Sequence, residues 1–216
     1  MKHRFLTLLA FAFMALAMTW PVPLKAQPGP ELTPPGEEPM QPVEPPPDLP
    51  KAQRGDPTQN LDRLFTALRV APTAESAKYI EGRIWATWAA QGGDTATLLM
   101  TRARTATEGK DFDLAIKLLT AIIDIKPDYV EAWNRRATIH YMRKEFGQSM
   151  EDIRQVLIRE PRHFGAMSGL GMILQEFGDE KHALDVFRRA LEINPHLPKI
   201  DEMVKGLTEK VEGRGI

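Results

Sequence analysis

From about residue 58 onward, apolar residues recur three and four positions apart, and no alternating β-branched stretch bounded by turn signals interrupts them. This pattern predicts helices throughout. Asp56-Pro57-Thr58 opens a helix running to about Val70, Ala71-Pro72 resets the chain, and a longer helix runs to Gln91 before Gly92-Gly93. Phe65, Leu68, Ile84, Trp85 and Trp88 recur at helical spacing within this pair. Gly109-Lys110-Asp111 and Phe177-Gly178-Asp179 read as turns whose aspartates cap the helices that follow. Pro198 opens a last helix with Ile200, Met203, Val204, Leu207 and Val211 on one face and charged residues elsewhere.

The breaks are periodic. Pro127, Pro161 and Pro195 are 34 residues apart, in the phrases Ile125-Lys126-Pro127, Arg159-Glu160-Pro161 and Ile193-Asn194-Pro195. The same period aligns Ala103, Ala137 and Gly171, and then Ala115, Ser149 and Ala183. It also aligns Leu99, Trp133 and Met167, then Leu119, Ile153 and Phe187, then Ile122, Val156 and Ala190. Small residues let two helices approach closely, large ones fill the gaps between units, and each proline ends the second helix of a unit.

A 34-residue helix–turn–helix unit with this placement of small and large residues resembles the tetratricopeptide repeat. The third unit carries the resemblance best, through Leu170-Gly171, Leu174, Ala183, Phe187 and Pro195; the second supplies Trp133, Tyr141 and Phe146. The first two units depart from the pattern, reading Arg102-Ala103 and Arg136-Ala137 where the family shows Leu-Gly. The resemblance implies an all-α fold, a right-handed α-solenoid of helix–turn–helix repeats at 96–129, 130–163 and 164–197. Residues 197–216 are expected to form a C-terminal capping helix that covers the exposed end. Residues 58–95 fit a degenerate fourth repeat or N-terminal cap, giving one stack whose concave side is lined by first helices.

The N-terminal quarter differs in kind. Lys2, His3 and Arg4 precede an uncharged run from Phe5 to Met18, Trp20, Pro21 and Pro23 break it, and Ala26 offers a small residue at a cleavage point. Residues 1–26 thus read as a secretory signal peptide. As an uncleaved anchor the run would reach roughly 24 Å, short of the ~30 Å hydrocarbon core, so membrane contact is expected only through this segment if it is retained. Residues 27–57 hold 11 prolines and no aromatic residue, and Glu31, Glu37, Glu38, Glu44 and Asp48 precede any base. That composition predicts a disordered, extended linker, with Pro45-Pro46-Pro47 as a candidate docking peptide for an aromatic groove.

Composition excludes several chemistries. The absence of cysteine excludes disulfides, thiolate metal sites and a cysteine nucleophile. With 28 Lys+Arg against 29 Asp+Glu, nothing points to nucleic acid. His140, His163, His182 and His196 form no metal-ligand spacing, and His140 reads as a packed substitute for an aromatic. His163, in Glu160-Pro161-Arg162-His163-Phe164, stands at a helix start, where a base opposes the dipole. Gly169-Leu170-Gly171 lies inside a helix with no preceding strand and is no dinucleotide fingerprint. Ser76, Ser149 and Ser168 lack a nucleophile-elbow context. Trp85 and Trp88 read as core. Arg102 and Arg136, one repeat apart, are expected to pack their stems between helices and pair with acids such as Glu108 or Asp124. No enzyme, cofactor or metal is expected.

Family use implies a protein partner held in the concave groove, against Met100 and Arg104, then Asn134, Thr138 and Tyr141, then Ser168, Met172 and Gln175. Members that grip a C-terminal carboxylate use a Lys/Asn/Lys/Arg cluster there; only Arg104 and Asn134 stand at comparable places, which argues against such a clamp. Signal, proline spacer and repeats together resemble small exported tetratricopeptide proteins of alphaproteobacterial envelopes. The expected function is therefore a periplasmic protein–protein interaction module, an adaptor or scaffold. The alternative is an envelope-structural tether acting through the proline-rich arm on cell wall or outer membrane.

Overall fold

The computed structural model describes residues 57–213. The signal segment and residues 27–56 of the linker lie outside the described residues. Nine helices are present among the described residues: α1 (Pro57–Arg69), α2 (Ala74–Ala90), α3 (Gly93–Glu108), α4 (Phe112–Ile125), α5 (Val130–Met142), α6 (Phe146–Arg159), α7 (Phe164–Glu176), α8 (Glu180–Ile193) and α9 (Pro198–Val211). Pairs α3–α4, α5–α6 and α7–α8 are the three repeats of a right-handed α-solenoid, and α9 closes it.

Each second helix ends at the residue before proline. Lys126, Glu160 and Asn194 all take extended backbone, φ −146°, −134° and −127°, because the following pyrrolidine ring disfavours the α region. Inside each repeat the turn passes once through left-handed space, at Lys110, Lys144 and Gly178, 34 residues apart. The strained residue of the first turn is thus Lys110, not its neighbour Gly109. Asp111 and Asp179 then accept the Leu114 and His182 amides at 3.1 and 3.4 Å, as expected.

Close approach inside the repeats follows the small residues. Ala115, Ser149 and Ala183 are buried, and Ser149 donates to the Ala137 carbonyl at 2.8 Å. In the third repeat a Cβ on Gly171 would stand 2.3 Å from Cε1 of Phe187, so glycine there is the condition for the phenyl ring. Trp133 sits under two guanidinium groups, Arg136 at 5.0 Å and Arg159 at 5.2 Å. On α9, Ile200 and Leu207 are buried with Leu184 and Phe187, while Arg188 reaches Glu212 and Thr208.

The N-terminal pair departs from the expectation of a fourth repeat in series. Instead of stacking ahead of α3, α1 and α2 pack across the loops that join successive repeats. Lys126 reaches the Gln91 carbonyl, Tyr129 donates to Ala89 O at 3.1 Å, and Arg162 pairs with Asp62 at 2.7 Å. Asn194 Nδ2 donates to Glu81 at 3.0 Å, and His196 Nε2 donates to Ala71 O at 2.9 Å. One core cluster joins Leu61, Phe65, Ile84 and Trp88 to Phe164, Met167 and Ala190.

The solenoid's first face is consequently left open. Leu98 is 56% exposed, whereas Ala132 and Ala166, its equivalents one and two repeats on, are buried. Arg102 and Thr105 are likewise exposed, where the later repeats place Arg136 and Leu170, and Ile139 and Ile173, in contact with the preceding unit.

Candidate functional site

On α5 the residues Glu131, Asn134, Thr138 and Tyr141 share one helical face, and on α7 Gly165, Ser168, Met172 and Gln175 share the equivalent one. This is the face on which the sequence places the groove. Its two ends differ.

At the N-terminal end α2 is in the way. The Trp85 ring lies so close to Gly165 that a Cβ there would stand 2.9 Å from it. Trp85 also meets Phe164 edge-on, with centroids 5.6 Å apart. Its indole Nε1 donates to Glu81 at 3.1 Å, and burial raises the Glu81 pKa, opposed by the hydrogen bonds from Trp85 and Asn194. Ser168 is only 2% exposed and gives its hydroxyl to Phe164 O at 2.8 Å. It cannot meet a partner, which corrects its place among the groove contacts.

His163 organises this end. Its Nδ1 accepts the Ala166 amide at 3.0 Å, capping α7, so the proton resides on Nε2, which donates to Glu131 Oε1 at 3.1 Å. Both residues are buried, and Arg135 lies 3.8 Å from the other Glu131 oxygen. A neutral, capping imidazole removes the conflict between a base and the helix dipole. The unusual Pro-Arg-His-Phe phrase was the visible signal; Glu131 carried none.

The C-terminal end is open. Thr138, Tyr141, Met172 and Gln175 are partly exposed. Thr138 donates to Asn134 O at 3.0 Å, which fixes its rotamer. Burial and then the nearby Glu176 charge push the Tyr141 phenol above its ordinary pKa. Asn134 and Met100 are exposed to the same intermediate degree as these four, Met100 packing on the first repeat's core. Arg104 is exposed and pairs loosely with Glu108 at 3.7 Å, a solvated contact of little strength.

The remaining candidates serve the fold. Arg136 grips Asp152 with two bonds of 2.8 Å and reaches Thr120 at 2.9 Å; neither Glu108 nor Asp124 is its partner, and Arg102 is exposed. His140 contacts Glu145 at 2.7 Å. Among the described residues no group of three His, Asp or Glu side chains could hold a metal, and no helix is long and apolar enough to cross a membrane.

The tetratricopeptide repeat family profile matches residues 165–197. A TPR repeat-containing protein of Rhizobium etli is 40% identical over 157 residues, 73% of this chain and 77% of that protein. Among solved structures, the first TPR of Spaghetti (RPAP3) bound to an HSP90 peptide superposes with TM-score 0.52 at 18% identity, covering 55% of this chain and 94% of that one. The Sgt2 TPR domain of Aspergillus fumigatus gives 0.51 at 22%, covering 56% and 82%. At these identities the two structures share the fold alone.

Proposed function

Because this chain belongs to the tetratricopeptide-repeat proteins, we propose that it is a protein-binding module whose partner segment lies on the open half of the groove. The observation that carries the reading is the division of the groove. Its N-terminal end is closed by Trp85, and Thr138, Tyr141, Met172 and Gln175 remain partly exposed beyond it. These four side chains are uncharged: a hydroxyl, a phenol, a thioether and an amide. They suit a neutral or apolar segment better than an anionic tail, and methionine adapts to varied shapes. The proposed setting is the periplasm, on the strength of Lys2, Arg4 and the uncharged run after them; fractionation with and without residues 1–26 tests that part separately.

The groove is tested by photo-crosslinking in cells, with probes at Gln175 and, as control, at Lys117 on α4. A discrete protein adduct is expected from Gln175 alone, lost when Tyr141 and Met172 are changed to alanine. Equal labelling at both positions, or an adduct indifferent to those substitutions, would overturn the reading.

A further inference from the structure

The uncovered end of the solenoid carries a guanidinium whose acid is missing. In the second repeat Arg136 grips Asp152 and reaches back to Thr120 of the repeat before it. Arg102 holds the same register in α3, but Leu118 stands where Asp152 does, and α1 and α2 lie to the side. Leu114, in the place of Gln148 beside that ion pair, is exposed. Leu98 is exposed on the same face, where Ala132 and Ala166 pack against the preceding repeat's core in the later units.

Opposite charges flank that leucine. Asp94 lies four residues before Leu98 and Arg102 four after, on one stripe of α3. Helix rise sets each about 6 Å from Leu98 along the axis. Both are exposed, and neither makes an ion pair among the described residues. This order is self-complementary. An antiparallel copy of α3, related by a two-fold axis at Leu98, sets leucine against leucine and Asp94 of each copy opposite Arg102 of the other. We propose that the exposed α3 face is an isologous interface with a second copy of this chain, closed by two Asp94–Arg102 pairs around the paired Leu98 side chains.

The fold supplies the direction this occupant needs. Connections of four residues, 126–129 and 160–163, join α4 to α5 and α6 to α7. Such short connections make each covering helix antiparallel to the one it covers. Under the two-fold, α3 of the second copy runs antiparallel to α3 of the first and takes the place of the preceding helix. It also returns to Arg102 the carboxylate that Asp152 gives Arg136. Because the same patch serves both copies, association stops at the dimer. The inference uses none of the groove residues and stands or falls separately from the groove reading above.

The test is sedimentation velocity of the purified full chain over a rising concentration series, where a monomer–dimer equilibrium is expected. Asp94→Arg and Arg102→Asp each put two like-charge pairs into the interface, and each should weaken the dimer at least about tenfold. The control Lys181→Asp, on α8, should leave it unchanged. An equal mixture of the two weakened variants restores both opposite-charge pairs and should recover dimers that neither variant forms alone. Both substituted side chains are exposed, and the mixture decides the question even where one variant is less stable. A chain that stays monomeric at every concentration would give the face to another segment of this chain or to a different protein, and would overturn the proposal. Dimers indifferent to the two reversals, or a mixture that fails to recover them, would overturn it equally.

Discussion

The indole of Trp88 lies flat on the His163 imidazole, centroids 4.3 Å apart and planes 9° from parallel. The same imidazole caps α7 through Nδ1 and satisfies Glu131 through Nε2, so one side chain joins α2, α5 and α7. His163→Ala removes a cap, about 1 kcal/mol, and leaves a buried carboxylate short of a donor, a further 1–3 kcal/mol or so. A total loss of roughly 2–4 kcal/mol is expected in urea unfolding, and His163→Asn, which restores a cap acceptor, should recover part of it. Glu131→Gln in the His163→Ala background should also recover stability. A loss below about 0.5 kcal/mol, the usual size of a surface substitution, would mean that this residue does not join the helices.

Tyr129 anchors the same C-terminal end of α2 by donating to Ala89 O. Burial, and then the Glu131 charge, push its phenol up to about 12 from 10.0. The folded state therefore favours the protonated phenol. Its contribution to stability is whole below the ordinary tyrosine range and is lost as pH climbs through about 12, a total of about 2–3 kcal/mol. Absorbance titration should show one of the chain's tyrosines ionising last, with unfolding, and Tyr129→Phe should remove that late step and flatten stability between pH 10 and 12. A phenol at position 129 that ionises reversibly at ordinary pH with the helices intact would contradict this.

The solenoid was legible because prolines and small residues recur in phase, and each acts locally: a proline straightens the residue before it, and an alanine admits a helix. That Thr138 and Tyr141 share one face of α5, and Met172 and Gln175 the equivalent face of α7, was legible for the same reason. The lateral docking of α1 and α2 was not. The spacing of Ile84, Trp85 and Trp88 shows that α2 buries a face but not against what, and its partners Phe164, His163 and Asn194 are 75 to 113 positions away. One clue was present: Leu98, Arg102 and Thr105 occupy register positions where the third repeat has Ala166, Leu170 and Ile173. Two polar residues in that series mark a face that no earlier repeat covers, which argues against stacking in series.

The within-repeat turns make a further prediction from the same register. Lys110 and Lys144 both have φ 60°, whereas the third repeat answers the same geometry with Gly178 at φ 74°. Left-handed backbone costs a β-carbon-bearing residue about 1–2 kcal/mol, offset in part by glycine's greater freedom in the unfolded chain. Lys110→Gly and Lys144→Gly should each stabilise by roughly 0.5–1 kcal/mol, and the two should nearly add because the ion pair that links the turns, Arg143 with Asp113, involves neither lysine. Gly178→Ala should lose about 1 kcal/mol. Thermal and urea unfolding of the four variants check this; destabilisation by both lysine replacements would show that the turns are not the strained points.

Gly171 and Phe187 make the sharpest test of the repeat's internal packing. The first two repeats pair alanine with Leu119 or Ile153, and only the third pairs glycine with a phenyl ring. With Cε1 of Phe187 2.3 Å from a Cβ at position 171, Gly171→Ala must displace a ring that is itself fully buried. Overpacking of this kind costs about 1–3 kcal/mol, more than alanine's better helix propensity of about 1 kcal/mol returns. Phe187→Leu alone should destabilise by leaving a cavity. The two together recreate the pairing of Ala103 with Leu119 seen in the first repeat, so the double variant should be more stable than the sum of the single losses by about 1 kcal/mol or more. A double-mutant cycle in urea measures that coupling directly. Strict additivity would mean that the phenyl ring finds room without the glycine, and that the small–large alternation along the solenoid is not what sets the spacing of α7 and α8.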